Sequence, residues 1–209
     1  MVTVNVVENN NLAQALLTLL RDKNTPTEKF RDYLKKIGAV LASEASQEFD
    51  TKDTKVITPM DAETKGVIIE EDIVILAILR AGMFMAEGVR YVLPNSRIGF
   101  VGIEKAEGDT EIKYISIPEI SGKTVIIVDP ILATGCTISK IIEKTIFDDV
   151  KKIIIITVIA TEEGIYKLAD IKPDIAVYTA AVDPELDEKA FVIPGLGDAA
   201  KRAFGWNIY

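Results

Sequence analysis

The chain has 209 residues, of which 48% are hydrophobic and 27% charged, and this length predicts one α/β domain, residues 1–209, with a sizeable core. It contains no histidine and a single cysteine, Cys136, which excludes histidine-based catalysis, an internal disulfide and a cysteine-based zinc site. A net charge of −8 disfavours nonspecific nucleic-acid binding. Because no apolar tract approaches ~20 residues and residues 1–10 carry no secretory signal, we expect a cytoplasmic protein without a membrane span.

Two helices are predicted near the amino terminus, over residues 11–21 and 28–45. In the second helix, apolar side chains recur at the spacing of one helix face, at Phe30, Tyr33, Leu34, Ile37, Leu41 and Ala45. Pro26 suits the first turn of this helix. We expect the helical pair to form an N-terminal arm, residues 1–50, that packs on the core or on a partner subunit.

The rest of the chain alternates between predicted strands and helices. The strands are predicted at residues 72–79, 97–103, 123–128, 152–161 and 174–179, and the helices at about 83–92, 138–147 and 162–171. This alternation favours a parallel sheet with helices on both faces. Residues 107–110 (EGDT) lie between two strand-like stretches, and we expect either a mobile hood over a nearby site or an ordinary hairpin.

Residues 125–137 (VIIVDPILATGCT) are the most informative segment. The apolar run 125–128 indicates a buried parallel strand, and Asp129 lies at its carboxyl end. A turn of small residues then leads into the helix predicted from Ile138. The start of a helix favours an anion, and a neighbouring carboxylate can bind sugar hydroxyls, so the unit suits a sugar phosphate. A plain capped turn of a βαβ protein explains the pattern equally well, whereas P-loop and dinucleotide-binding motifs are absent from the sequence.

The same segment resembles the phosphoribosyl diphosphate (PRPP) loop of type I phosphoribosyltransferases. Asp129 followed by Pro130 resembles the uracil phosphoribosyltransferase branch, as do residues 78–82 (ILRAG), which are similar to its diphosphate-contacting loop. Residues 194–199 (PGLGDA) resemble its uracil-binding loop. Residues 16–31, 178–183 and 204–205 also fit. The resemblance therefore runs in order along nearly the whole chain.

The resemblance implies a twisted parallel sheet flanked by helices, with a small C-terminal hood that binds the base. It implies transfer of the 5-phosphoribosyl group from PRPP to N1 of uracil, which gives UMP and diphosphate in pyrimidine salvage. Mg²⁺ is the implied cofactor, held mainly by PRPP, with no metal ligands assigned to the protein. Many members of the family are dimers or tetramers, and some are activated by GTP and inhibited by CTP, so a homodimer or homotetramer is expected.

The resemblance also assigns the site residues. Arg80 directly follows an apolar run and would contact the diphosphate together with Lys105, which stands where the family usually has arginine. Asp129 would orient the ribose hydroxyls and completes this catalytic set. The other PRPP-binding residues are Pro130, Ile131, Leu132, Ala133, Thr134, Gly135, Cys136 (through its backbone), Thr137 and Asp198. The uracil-binding residues are Val192, Gly197, Asp198 and Ala199, acting by backbone more than by side chain.

Two other functions remain open, and the sequence departs from the family's usual pattern at residues 201–202. The chain could act on orotate or a purine, which the ILRAG and PGLGDA segments argue against. It could instead be a non-catalytic RNA-binding regulator that senses pyrimidine nucleotides on the same fold, which the net charge argues against. Lys201 and Arg202 depart from the family's usual Gly-Asp-Arg sequence, and we expect them on a solvated helix face.

Overall fold

The computed structural model describes residues 2–106, 109–145, 149–169 and 175–206. Its helices are α1 (Asn11–Arg21), α2 (Thr27–Ala45), α3 (Gly82–Val92), α4 (Cys136–Thr145), α5 (Glu162–Ala169) and α6 (Ala199–Phe204). Its strands are β1 (Thr3–Val6), β2 (Thr51–Ile57), β3 (Glu63–Ile69), β4 (Ile73–Leu79), β5 (Arg97–Ala106), β6 (Asp109–Ser116), β7 (Thr124–Val128), β8 (Ile131–Leu132), β9 (Lys152–Thr161), β10 (Ile175–Asp183), β11 (Glu185–Leu186) and β12 (Val192–Ile193).

One twisted sheet organises the fold, with strand order β1-β10-β9-β7-β4-β5-β6 and with β8 pairing alongside β9. The pairs in this sheet are parallel except for β5 with β6. The chain continues from β4 to β5 on one side, whereas β7 lies on the other side of β4. The strand order therefore reverses between β4 and β7, and the carboxyl ends of such strands border the crevice where open α/β sheets bind ligands.

The core lies on both faces of the sheet, as a parallel sheet requires. Helices α1, α2 and α3 pack on one face, and α4 and α5 cover the other. The predicted stripe of α2 is confirmed, because Phe30, Leu34, Ile37 and Leu41 are fully buried. None of the helices that the structure describes is long and apolar enough to cross a membrane. The predicted fold class is confirmed.

Several elements differ from the sequence prediction. Within residues 1–50 the strand β1 was not predicted; it joins the edge of the main sheet beside β10, while α1 and α2 pack on the core, one of the two arrangements expected for the arm. Helix α4 begins at Cys136, two residues before the predicted start at Ile138, because the turn at Gly135 leads directly into it. The hairpin β2–β3, strands β11 and β12, and helix α6 were not predicted, since each is too short or too polar to give a periodic signal.

Some predicted positions lie outside the described residues. These are Glu107 and Gly108 of the expected hood and the ends of three predicted elements, residues 146–147, 170–171 and 174.

A buried carboxylate links the amino ends of three central strands. Glu71 precedes β4, and its side chain is only 1% exposed. It accepts hydrogen bonds from the Thr124 hydroxyl at the start of β7 and from the Lys151 ammonium, 3.0 Å away, just before β9. Burial raises the pKa of the Glu71 carboxyl, but these hydrogen bonds outweigh it and hold the pKa below the ordinary 4.5.

We expect Glu71→Gln to lower the free energy of unfolding by roughly 1–3 kcal/mol at pH 7, because it removes charge-assisted hydrogen bonds. A carboxyl with a lowered pKa stabilises the folded state above its unfolded-state pKa, and this contribution is lost as the pH falls through the folded-state pKa. The difference between wild type and variant should therefore shrink as the pH falls below 4.5. Urea unfolding at several pH values measures this difference.

The matched control is Glu70→Gln. Glu70 forms an exposed ion pair with Lys52, and exposed pairs contribute about 0–1 kcal/mol. If the difference in free energy of unfolding between wild type and Glu71→Gln stays constant as the pH falls, the stabilising role of the ionised Glu71 carboxylate is contradicted.

Candidate active site

The two loops predicted to bind PRPP lie side by side at the reversal of strand order. The register of β4 with β7 pairs Ala77 with Val128, so Arg80 and Asp129 follow neighbouring strand ends. Gly82, the first residue of α3, packs against this junction. A Cβ at Gly82 would lie 2.5 Å from the Val128 carbonyl oxygen, so only glycine permits this close approach of the two loops.

The segment after β7 is anchored to β9. The half-buried Asp129 donates its backbone N–H to a carbonyl of β9 at 3.3 Å, and the carbonyl of buried Pro130 accepts an N–H from β9 at 3.0 Å. Ile131 and Leu132 then form β8, which pairs with β9. Leu132 is only 1% exposed and packs in the core, so its predicted contact with PRPP stays a prediction. Ala133 is half-buried where the turn begins.

The turn predicted to bind the phosphate leads directly into α4. Gly135 has φ +74°, and a Cβ there would lie 2.7 Å from the Gly164 carbonyl oxygen, so this position requires glycine. The Thr134 hydroxyl accepts the N–H of Cys136 at 3.5 Å. Cys136 is exposed and Thr137 half-buried in the first turn of the helix. Because the first N–H groups of a helix have no intrahelical partner, this end of α4 favours a phosphate.

The exposed Arg80 lies directly after β4, with its guanidinium over aromatic rings. Its guanidinium carbon lies 3.7 Å from the centroid of the Trp206 ring and 5.8 Å from that of Phe204. Phe204 itself packs against Phe84 of α3, with ring centroids 5.3 Å apart. Trp206 was not predicted as a site residue, although it is the single tryptophan of the sequence. The position of Arg80 fits the predicted diphosphate contact, which stays a prediction.

Lys105 lies on β5, the strand next to β4, and its backbone pairs with Thr110 of β6. Its side chain lies outside the described part of the structure. The predicted contact between Lys105 and the diphosphate is therefore untested by the geometry.

The residues predicted to bind uracil lie around a glycine-rich loop between β12 and α6. Val192 of β12 and Ala199 of α6 are each 6% exposed, while Gly197 is exposed with φ +68°. Asp198 caps α6, since its carboxylate accepts the backbone N–H of Lys201 at 2.9 Å. Val192 and Ala199 are therefore buried as whole residues, and Gly197 and Asp198 are the predicted base-binding residues that remain accessible. The predicted backbone contacts with the base stay a prediction.

Comparison with known proteins identifies the family. The family model described as uracil phosphoribosyltransferase matches residues 6–205. The chain belongs to the uracil phosphoribosyltransferase family. The uracil phosphoribosyltransferase of Thermosipho melanesiensis is 39% identical over 96% of this chain and 98% of its own length. That of Pyrobaculum arsenaticum is 42% identical over 92% of this chain and 94% of its own length. The resemblance found in the three loops is thereby confirmed.

Solved structures agree with this assignment. The AQ2163 protein of Aquifex aeolicus is 31% identical and superposes with a TM-score of 0.91 over 100% of both chains. A hypoxanthine phosphoribosyltransferase of Staphylococcus aureus is 20% identical, with a TM-score of 0.51 over 75% of this chain and 76% of its own. The second likeness shows that this uracil phosphoribosyltransferase family member has the type I phosphoribosyltransferase fold.

The position of Arg202 corrects one sequence prediction. It does not lie on a solvated helix face, because it is only 7% exposed and its guanidinium carbon lies 4.1 Å from the centroid of the Phe30 ring. The guanidinium donates to the carbonyls of Leu20, of Leu196 at 2.8 Å and of Asp22 at 2.6 Å. Arg202 therefore connects the glycine-rich loop to the end of α1. Its proximity to α1 depends on tertiary packing, which no local sequence pattern shows.

A second arginine holds the same loop. Arg21 of α1 donates two hydrogen bonds, at 2.6 and 2.9 Å, to the carboxylate of Asp183, which is 3% exposed. Arg21 also donates to the Gly195 carbonyl at 3.0 Å, and the Gly195 N–H donates to Asp183 at 3.0 Å. Neither Arg21 nor Asp183 was predicted as a site residue. In this family member, α1 and the glycine-rich loop form one hydrogen-bonded unit.

We expect Arg21→Lys to raise the KM for uracil about three- to tenfold, equivalent to one lost hydrogen bond. Lysine keeps the charge beside Asp183 but lacks the planar fork that reaches Gly195. The KM for PRPP should stay near wild type, because the loop after β7 is held by β9. Initial-rate kinetics with each substrate varied in turn measures both constants.

Arg97→Lys is the matched control, since Arg97 pairs with Asp72 on the exposed amino side of the sheet. An equal rise in both KM values for Arg21→Lys would show a general structural defect and contradict a specific role in the base loop.

Proposed function

We propose that this chain catalyses transfer of the 5-phosphoribosyl group from PRPP to N1 of uracil, forming UMP and diphosphate. The supporting observation is that the loops after β4 and β7 meet at one sheet edge in a member of the uracil phosphoribosyltransferase family. Helix α6 begins at the glycine-rich loop and ends beside Arg80. The predicted base and diphosphate contacts are thus joined by one short helix.

The phosphoribosyl group would be held by the segment after β7. The backbone N–H groups at the start of α4 and the hydroxyls of Thr134 and Thr137 bind the 5-phosphate. Asp129, at the strand end, accepts hydrogen bonds from the ribose hydroxyls. Because the segment is anchored to β9, these groups are positioned before the substrate binds.

The reaction breaks the bond between C1 of the ribose and the diphosphate and forms the bond from C1 to uracil N1. The ribose passes through an oxocarbenium-like state while negative charge grows on the leaving diphosphate. Arg80 and Lys105 stabilise this charge. The protein supplies positioning and electrostatics rather than a covalent nucleophile.

We propose that Mg²⁺ binds together with PRPP and is held mainly by the oxygens of PRPP. Mg²⁺ in phosphate sites is commonly bound by one or two carboxylates together with substrate oxygens. Asp129 offers one such carboxylate beside the proposed phosphate position. When bound, the ion would neutralise charge on the diphosphate oxygens.

Uracil would be selected by the backbone of the glycine-rich loop. Uracil presents two carbonyls and an N–H on its distinguishing edge, and backbone N–H and C=O groups complement this pattern. Cytosine carries an amino donor where uracil has a carbonyl acceptor, so a buried backbone N–H would be left unpaired. Such a mismatch discriminates strongly.

Lys105 gives a separate test of the leaving-group contact. We expect Lys105→Ala to lower kcat more than it raises the KM for PRPP, because the negative charge on the diphosphate grows toward the transition state. Lys105→Arg should retain activity, since arginine is the family's usual residue. Steady-state kinetics at saturating Mg²⁺ measures both effects. An unchanged kcat in Lys105→Ala would leave Arg80 as the proposed protein cation on the diphosphate.

Incubation with labelled uracil, PRPP and Mg²⁺ tests the proposed function. We expect equal amounts of UMP and diphosphate, with no product when PRPP is omitted. A chain that binds RNA tightly at physiological salt but forms no nucleotide would instead favour the regulatory alternative.

We also propose that the chain self-associates through the β2–β3 hairpin. The β2–β3 hairpin exposes apolar side chains, with Ile57 66%, Met60 86% and Val67 64% exposed. A two-stranded hairpin is marginally stable alone in water, so these side chains support a homodimer or homotetramer. Light scattering after size-exclusion chromatography measures the oligomeric state, and a monomer at working concentrations contradicts the proposed self-association.

Regulation by nucleotides is tested in the same enzyme assay. Adding GTP should raise the rate of UMP formation, and adding CTP should lower it.

A further inference from the structure

Arg80, which is proposed to contact the diphosphate, also contacts the side chain of Trp206. Its guanidinium carbon lies 3.7 Å from the Trp206 ring centroid, within the range of a face-on cation–π contact. Trp206 is half-exposed, with 50% of its surface accessible. A guanidinium stacked in this way directs its N–H donors outward in its own plane, so the stack leaves them available to an anion.

The end of α6 fixes the position of Trp206. Gly205 ends the helix in the left-handed conformation, with φ 70°, and its N–H donates to the Lys201 carbonyl. The N–H of Trp206 donates to the same carbonyl at 3.0 Å, which is a Schellman-type helix end. At its other end, α6 is capped by Asp198 and tied to α1 through Arg202. The indole is therefore carried by an anchored element and not by a free tail.

We propose that Trp206 is a positioning residue that holds the Arg80 guanidinium with its donors directed toward the diphosphate of PRPP. The proposal rests on the diphosphate role assigned to Arg80 under the proposed function. An exposed arginine loses side-chain entropy when it binds an anion. Stacking on Trp206 removes part of that cost before PRPP arrives, and this lowers the KM for PRPP without contacting uracil.

The stack itself is tested without any substrate. Trp206 is the single tryptophan of the chain, so intrinsic fluorescence reports on it alone. Arg80→Ala uncovers one face of the indole and should raise the acrylamide quenching constant roughly 1.5- to 2-fold. Arg90→Ala, at an exposed position on α3, is the matched control and should leave quenching unchanged. Equal quenching in wild type and Arg80→Ala would overturn the proposal.

Kinetics then tests the positioning role. Trp206→Ala should raise the KM for PRPP roughly two- to fivefold and leave the KM for uracil unchanged. Trp206→Phe keeps an aromatic face and should recover most of the loss. The double variant Arg80→Ala, Trp206→Ala should be no worse than Arg80→Ala alone, because both changes remove one interaction. Tyr91→Ala, which removes an aromatic side chain 81% exposed on α3, is the control.

The outcomes separate this inference from the proposed function. If Arg80→Ala weakens PRPP kinetics but Trp206→Ala does not, the positioning role is wrong and the site assignment stands. If Arg80→Ala leaves PRPP kinetics unchanged, the diphosphate role of Arg80 fails, and the positioning role fails with it. A rise in the KM for PRPP with both single variants and no further rise in the double variant supports the inference.

Discussion

Replacing Arg80 with alanine should lower kcat/KM for PRPP by roughly 10²- to 10³-fold, the loss typical when one preorganised transition-state donor is removed. Arg80 follows β4 at the reversal of strand order, beside the Asp129 loop. Its two-pronged guanidinium matches the diphosphate oxygens, where negative charge grows as the bond to C1 breaks. The KM for uracil should change little. Initial-rate assays with PRPP varied at saturating uracil and Mg²⁺ measure the loss.

Two variants separate charge from geometry at this position. Arg80→Lys keeps the charge but loses the fork and the stacking surface, so its activity should fall between those of wild type and Arg80→Ala. Arg90→Ala removes an exposed arginine of α3 and should match wild type. An Arg80→Ala enzyme with wild-type kcat/KM would show that this residue is a solvated surface charge.

Asp129→Asn should fold normally and lose about 10- to 150-fold of activity, which corresponds to roughly 1.5–3 kcal/mol for a carboxylate–hydroxyl contact. The residue is half-buried directly after β7, where its backbone N–H donates to the Ile156 carbonyl. Asparagine preserves that backbone bond and the side-chain shape but removes the negative charge. We expect the loss to appear in kcat/KM for PRPP, and thermal unfolding of the variant checks that it is folded.

The matched control is Asp149→Asn, which changes an exposed aspartate that accepts a hydrogen bond from Ser121, near the amino end of β7. This control should keep wild-type kinetics. A folded Asp129→Asn enzyme with wild-type kcat/KM for PRPP would rule out the assigned role of the carboxylate.

The centre of the fold could be predicted from the sequence because its signals are local. The run 73–79 and the run 125–128 are apolar without interruption, which indicates strands buried on both faces. The buried face of α2 follows from helical periodicity alone. Residues that end such strands, Arg80 and Asp129, could then be placed at one sheet edge. The family resemblance then predicted that both residues contact PRPP.

The supports of the site could not be predicted, because they depend on contacts between distant parts of the chain. Arg21 and Asp183 are 162 residues apart yet share two hydrogen bonds. Arg202 has a charged side chain in a short polar segment, which indicates exposure until tertiary packing buries it against Phe30. The contact between Trp206 and Arg80 likewise requires the end of α6 to return to β4. Short elements such as β11, β12 and α6 carry too few residues for a periodic signal.

The central claim is that this chain is a uracil-specific phosphoribosyltransferase, and one competition assay tests it most directly. Uracil, cytosine, orotate and hypoxanthine at equal concentrations compete for limiting PRPP in the presence of Mg²⁺, so the product ratio reports relative kcat/KM values. We expect UMP to exceed every other nucleotide by at least about 100-fold, because a mismatched base leaves a buried polar group unpaired. Formation of another nucleotide as fast as UMP would contradict the account.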